Sequence, residues 1–216
     1  MSFSAKDEMA LILPIPTALG AGEDAVRFID LSGYPTFFDD IDKLFERPLT
    51  RGFAPAAMAP QSVAKLVVHE VGHLEASFVP TVNDFARLDE RFKLQATTWD
   101  QLPVQKTYGF VVVKLGKNAT QQNVHPIAFD FPRRDQQRVF FPTLHVHDGK
   151  VHKTAKFDHS LYAQSDTTPW DRYWLKSTDK VSARVNEAKT NGLVNGDAVA
   201  YMAPIIGDEP NDDIWF

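Results

Sequence analysis

A chain of 216 residues, 44% hydrophobic and 24% charged, suits one globular domain with a buried core. Its net charge of -5 argues against a nucleic-acid binder, which needs a basic surface for phosphate. The lack of cysteine excludes disulfides, thiol nucleophiles, iron–sulfur clusters and cysteine zinc sites. No basic segment followed by a long apolar run occupies Met1 to Leu13, and no apolar stretch approaches the ~20 residues that cross a bilayer. A soluble, cytoplasmic protein is the expectation.

Met9 to Ile15 reads as a buried strand ended by prolines, and Val26 to Ile29 as a second, short one. Gly33-Tyr34-Pro35 turns the chain. Thr36 then has the chemistry of an N-cap, with Asp39 as its capping partner. Phe37, Phe38, Ile41, Leu44 and Phe45 recur at helical spacing until Pro48 stops the helix. Residues 48–60, rich in Pro, Ala and Gly, are expected to form a mobile loop. Asn83 caps a second expected helix, with Phe85, Leu88 and Phe92 on one face. Strands follow at Tyr108 to Leu115, Val124 to Phe131, Val139 to His147 and Lys150 to Phe157. A third helix is expected from about Thr178 to Lys189, with Val181, Val185 and Ala188 inward and Gly192 as its cap. Asn195-Gly196 turns into a last strand, Ala198 to Ile205. The pattern predicts an α+β fold: a single domain over residues 1–216, a mainly antiparallel sheet and about three short helices.

His69-Glu70-Val71-Gly72-His73 fits the H-E-x-x-H pattern. On a helix both histidines lie one turn apart and share a zinc ion, while the glutamate acts as general base. A zinc-dependent hydrolase is therefore one alternative. Three features favour a hairpin instead: Val67, Val68 and Val71 prefer strands, Gly72 costs ~1 kcal/mol inside a helix, and no third ligand is well placed. Glu90 lies seventeen residues past His73, close to the spacing that a thermolysin-like site wants.

A second group is easier to place. In Thr143 to Lys153, Asp148-Gly149 separates two alternating segments and signals a type I′ turn. The implied register pairs His147 with Lys150, Val146 with Val151 and His145 with His152. Leu144, Val146 and Val151 then go inward, and His145, His147 and His152 share the other face. Three imidazoles about 5–7 Å apart suit Zn²⁺ or another divalent transition metal. Asp158 and His159 are further potential ligands or supporting partners. Lys150 on the same face speaks against a cation there. The remaining alternative is a non-catalytic binding or interaction module with no metal.

Weaker candidates have structural explanations. Asp39, Asp40 and Asp42 complement a helix start. Arg133-Arg134 with Asp130 and Asp135 reads as a charged turn. Trp170, Tyr173 and Trp174 are expected as core anchors. Ser32 lacks the G-x-S-x-G context of an esterase-type nucleophile.

These segments also carry a resemblance. Met9-Ala-Leu-Ile-Leu-Pro-Ile-Pro16, Asp24-Ala-Val-Arg-Phe-Ile-Asp-Leu-Ser-Gly-Tyr-Pro35, Ala76-Ser-Phe-Val-Pro80 and Arg87-Leu-Asp-Glu-Arg-Phe92 belong to it. So do Tyr108-Gly-Phe110, Phe129-Asp-Phe-Pro-Arg-Arg134 and Phe140-Phe-Pro-Thr-Leu-His-Val-His-Asp-Gly149. Over residues 8 to 165 the chain resembles a family of uncharacterised bacterial proteins and, more broadly, domains of the DUF2330 type. The resemblance includes the hairpin histidines. It implies a non-histidine residue at the position of His73, which weakens the hydrolase alternative. It implies no activity, substrate or partner.

Overall fold

The computed structural model describes residues 9–45, 69–71, 74–88, 100–102, 104–115, 125–144, 146, 151–164 and 173–216. The expected loop at 48–60 lies outside them.

The largest sheet is built from β1 (Met9–Ile15), β3 (His69–Val71), β4 (Leu74–Val79) and β5 (Gly109–Leu115), in the order β1-β5-β4-β3. Every strand pair among the described residues is antiparallel. β5 sits between two neighbours, and its run of valines is buried on both faces. Alternation along the strand sends Val111 and Val113 to one face, with Leu11, Leu13, Ile15, Ala76 and Phe78. Phe110 and Val112 go to the other face, with Ile12 and Val79. The first face is covered by Phe28 of β2 (Arg27–Ile29) and Phe129 of β6 (Ala128–Asp130), which pair with each other. The second is covered by Phe85, Leu102, Leu144, Val146 and Val151. Pro14 is tolerated because β1 is an edge strand, where a missing N–H breaks no central ladder.

The second sheet is a long ribbon. β8 (Thr154–Ala163) pairs over ten residues with β10 (Tyr201–Pro210), and β9 (Leu175–Lys176) adds a short third strand. Helix α1 (Phe37–Asp42) packs Phe37 and Ile41 into a core with Ile29, Leu31, Val181, Val185 and Ala200. β7 (Phe140–Phe141) pairs with β11 (Ile214–Trp215). The result is an α+β architecture with antiparallel sheets and little helix.

Several expected elements are shorter or different. Thr36 makes no side-chain cap bond to the backbone; its hydroxyl instead donates to Asp40, at 3.3 Å. The second expected helix is a 3-10 helix, Val82–Arg87, entered from Thr81 rather than Asn83. The third is two 3-10 turns, Val181–Ala183 and Glu187–Lys189, and Ala188, expected inward, is exposed. Its amides are captured by tertiary acceptors. Val181 N–H goes to the Ala198 carbonyl, Ser182 N–H to that of Gly196, and Asn186 N–H to the Tyr34 hydroxyl. A continuous helix would need the Ser182 and Asn186 amides for itself, while that of Val181, in the first turn, would be left over in any case. Gly192 does take the left-handed conformation expected of a cap, with φ 81°.

Strand limits moved for equally local reasons. The strand expected from Val139 stops at Phe141, because Pro142 brings no N–H to a ladder. Pro126 delays β6 to Ala128 in the same way. The strand expected over Lys150 to Phe157 begins at Thr154 and continues to Ala163, because β10 supplies a partner along that length. The last strand is likewise shifted, from Ala198–Ile205 to Tyr201–Pro210.

Candidate functional site

His69, Glu70 and Val71 form a strand, paired with Ala76, Glu75 and Leu74 respectively. The helix that the zinc-hydrolase alternative requires is therefore not present at His69–Val71. The Val71–Leu74 pairing matches the expected hairpin, with residues 72 and 73 themselves outside the described set. Glu70 is exposed. His73 and Glu90 lie outside the described residues. β-branched Val71, 6% exposed, prefers the pleated surface over a helical turn.

His125, which no motif singled out, is buried beside this strand. Its Nε2 lies 2.8 Å from the Val71 carbonyl oxygen and its Nδ1 2.9 Å from that of Pro126. Both ring nitrogens face backbone carbonyl oxygens, one on β3 and one in the segment before β6.

For the second histidine group, His145 and His147 lie outside the described residues, as do Asp148, Gly149 and Lys150. Leu144, Val146, Val151 and His152 are described, and none belongs to a ladder. Leu144, Val146 and Val151 pack against Val79, Phe85, Leu102, Phe110 and Val112, on the inward side that the alternation predicted. His152 is exposed.

Both ends of this segment are held by one turn, Asn211 to Asp213. The Asn211 side-chain amide donates to the His152 carbonyl oxygen at 3.0 Å, and its backbone N–H to that of Lys153 at 3.1 Å. At the other end, one Asp213 carboxylate oxygen accepts from Thr143 N–H (3.2 Å) and Leu144 N–H (3.3 Å). The other oxygen accepts from the Gln105 side-chain amide at 2.9 Å. The Thr143 hydroxyl donates to the Asp212 carbonyl oxygen at 2.7 Å. Burial pushes the Asp213 carboxyl above the usual range, and Asp212 adds to this; the Gln105, Leu144 and Thr143 donors oppose it. Burial and then Asp213 likewise push the Tyr108 phenol up.

His159 and Asp158 lie further along β8 from His152. Five residues of strand carry His159 about 17 Å beyond Thr154. There its ring packs edge-on against Phe157, with centroids 5.4 Å apart. Burial lowers its pKa, against the pull of Asp158 at 3.1 Å. Among the described residues, no three His, Asp or Glu side chains converge as a metal cage would require.

The remaining polar candidates are occupied structurally. The Arg134 guanidinium donates to the Thr17 carbonyl (3.3 Å), the Thr107 hydroxyl (3.1 Å) and the Thr107 carbonyl (2.6 Å), and stacks over Tyr108. Arg138 pairs with Asp135 at 2.8 Å and lies over Trp215. Asp130 accepts from Arg27. Asp40 takes hydrogen bonds from Tyr34 (2.8 Å), Thr36 and Lys43, and Asp42 one from Tyr162. Trp174 is buried against Phe141 and Phe216, as expected of an anchor, whereas Tyr173 is exposed. Trp170 lies outside the described residues.

The sequence reading missed Gln105, Asn211 and Asp213. Their only signal was polarity beside apolar runs, which many surface positions share. No helix among the described residues is long and apolar enough to cross a membrane. Compared with known proteins, the chain matches no family model, no curated protein and no solved structure.

Proposed function

We propose that this chain binds a divalent transition metal, zinc foremost, through His145, His147 and His152. The observation that carries this reading is the inward packing of Leu144, Val146 and Val151 while His152 is exposed. The period-two pattern read from the sequence assigns residues 145 and 147 to the face opposite 144 and 146. Three imidazoles on that face would offer the borderline-soft nitrogen donors that zinc, nickel and copper prefer. Kinship with the uncharacterised bacterial family, a single domain over 1–216 and a cytoplasmic location belong to the same proposal. The zinc-hydrolase alternative has less support, since its first histidine and its glutamate lie on a strand.

Titration of tag-free protein with Zn²⁺ against a chromophoric chelator tests the reading. One ion should bind per chain, and His145→Ala, His147→Ala or His152→Ala should each weaken it at least tenfold while the fold survives. Binding unaffected by all three substitutions would refute it.

A further inference from the structure

Two asparagine–glycine pairs lie close together in the chain, Asn191-Gly192 and Asn195-Gly196. Such pairs are chemically labile, because glycine lets its own nitrogen approach the preceding side-chain amide. The fold treats the two differently. Asn195 is exposed and opens a turn: its backbone carbonyl accepts from Ala198 N–H at 3.3 Å, and its side-chain Oδ1 from Asp197 N–H at 2.9 Å. An Oδ1 bonded two residues ahead lies over the peptide between, which folds the side-chain carbonyl onto the Gly196 nitrogen. A Cβ added at Gly196 would collide with the Glu187 carboxylate, so that carboxylate lies directly against the glycine. Asn191 has neither feature among the described residues. Its Nδ2, the atom that would leave, is held by the Asp30 carbonyl oxygen at 2.7 Å, and a Cβ at Gly192 would meet nothing within 4 Å.

We infer that Asn195-Gly196 is a self-modification site, at which the folded chain promotes hydrolytic loss of the Asn195 side-chain amide. This stands apart from the metal reading. The Gly196 nitrogen attacks the Asn195 side-chain carbonyl carbon and gives its proton to the Glu187 carboxylate. Negative charge develops on Oδ1, where Asp197 N–H already donates. The bond from Cγ to Nδ2 then breaks, and ammonia departs with the proton returned by Glu187. Water opens the resulting cyclic imide at either carbonyl, leaving aspartate or isoaspartate. One water is consumed, one ammonia is released and nothing is oxidised or reduced. The product bears on the fold through Gln164, which follows β8. Its Nε2 donates to the Asn195 carbonyl at 2.9 Å and that of Val199 at 3.3 Å, and its Oε1 accepts from Asn195 N–H at 3.0 Å. Isoaspartate runs the main chain through Cβ, which adds a carbon between the two gripped groups of Asn195 and opens that clamp.

The test incubates the full, tag-free chain in heavy-oxygen water at neutral pH, folded and in urea, and maps both pairs by mass spectrometry. The label enters each new carboxylate, which separates conversion during the incubation from conversion before it. In urea the two pairs should convert at similar rates, since glycine follows both asparagines. In the folded chain Asn195 should convert about tenfold faster than Asn191. Glu187→Gln should remove most of that excess in the folded chain and leave the rates in urea unchanged. Hydrogen exchange at Asn195 N–H should quicken as isoaspartate accumulates. If Glu187→Gln does not fold, the ratio of the two rates in the folded wild type decides. Equal rates at the two pairs in the folded chain, or faster conversion at Asn191, would overturn the inference. A folded Glu187→Gln variant that converts Asn195 at the wild-type rate would overturn it as well.

Discussion

Removing the Asp213 side chain should expose how much the fold depends on one carboxylate. Asp213→Ala deprives three donors of their acceptor: the Gln105 amide at 2.9 Å and the Thr143 and Leu144 amides at 3.2 and 3.3 Å. The two backbone bonds are long and share one oxygen, so together they count as roughly one good bond. Two stranded donors at about 1–3 kcal/mol each, offset by the carboxylate no longer being drawn out of water, leave a loss of about 2 kcal/mol. Asp213→Asn should cost under about 1 kcal/mol, because its oxygen serves both amides and Gln105 can turn its amide over. Burial raises the Asp213 pKa above its unfolded value. Its favourable contribution is therefore full below the ordinary carboxylate value near ~4 and is lost as pH rises through the raised one. The stability of wild type minus that of Asp213→Asn should fall with rising pH. Urea unfolding followed by tryptophan fluorescence across a pH series measures it. A loss under about 0.5 kcal/mol in Asp213→Ala, or a difference that grows with pH, would refute the reasoning.

Other consequences are open to the same assay. Phe110 is fully buried and packs edge-on against Phe85, with centroids 5.1 Å apart, so Phe110→Ala should cost about 3–5 kcal/mol. A Cβ on Gly109 would sit 2.5 Å from the Phe78 ring, so Gly109→Ala should destabilise, and adding Phe78→Leu should recover part of the loss. Burial pushes the Asp40 carboxyl up, but Lys43 and Tyr34 outweigh it and hold it below the usual range. Its contribution is present above ~4 and lost as pH falls through the lowered value, so Asp40→Asn should flatten the acid limb of the stability curve. An unchanged acid limb would contradict that assignment.

Much of the fold was legible where periodicity was strong. The β1 and β5 runs, Leu74, Ala76 and Phe78 of β4, and the inward set Leu144, Val146 and Val151 follow directly from alternation. The third expected helix was not legible, because Val181 and Val185 are inward in either conformation. What broke it was Tyr34 and the 196–198 carbonyls claiming its amides from afar. The full length and pairing of the β8–β10 ribbon were missed for a related reason: a strand's length is set by its partner, and nothing near Thr154 reveals Pro210. The site divides in the same way. Histidine spacing is a local property that sequence displays. The Asn211–Asp213 turn acts across 59 to 70 residues and leaves no local trace.

Elemental analysis of tag-free protein, alongside His145→Ala and His69→Ala, tests the metal reading most directly. The expected result is one divalent metal ion per chain in the wild type and in His69→Ala, and none in His145→Ala. No metal in any sample after reconstitution, or loss of metal in His69→Ala alone, would contradict it.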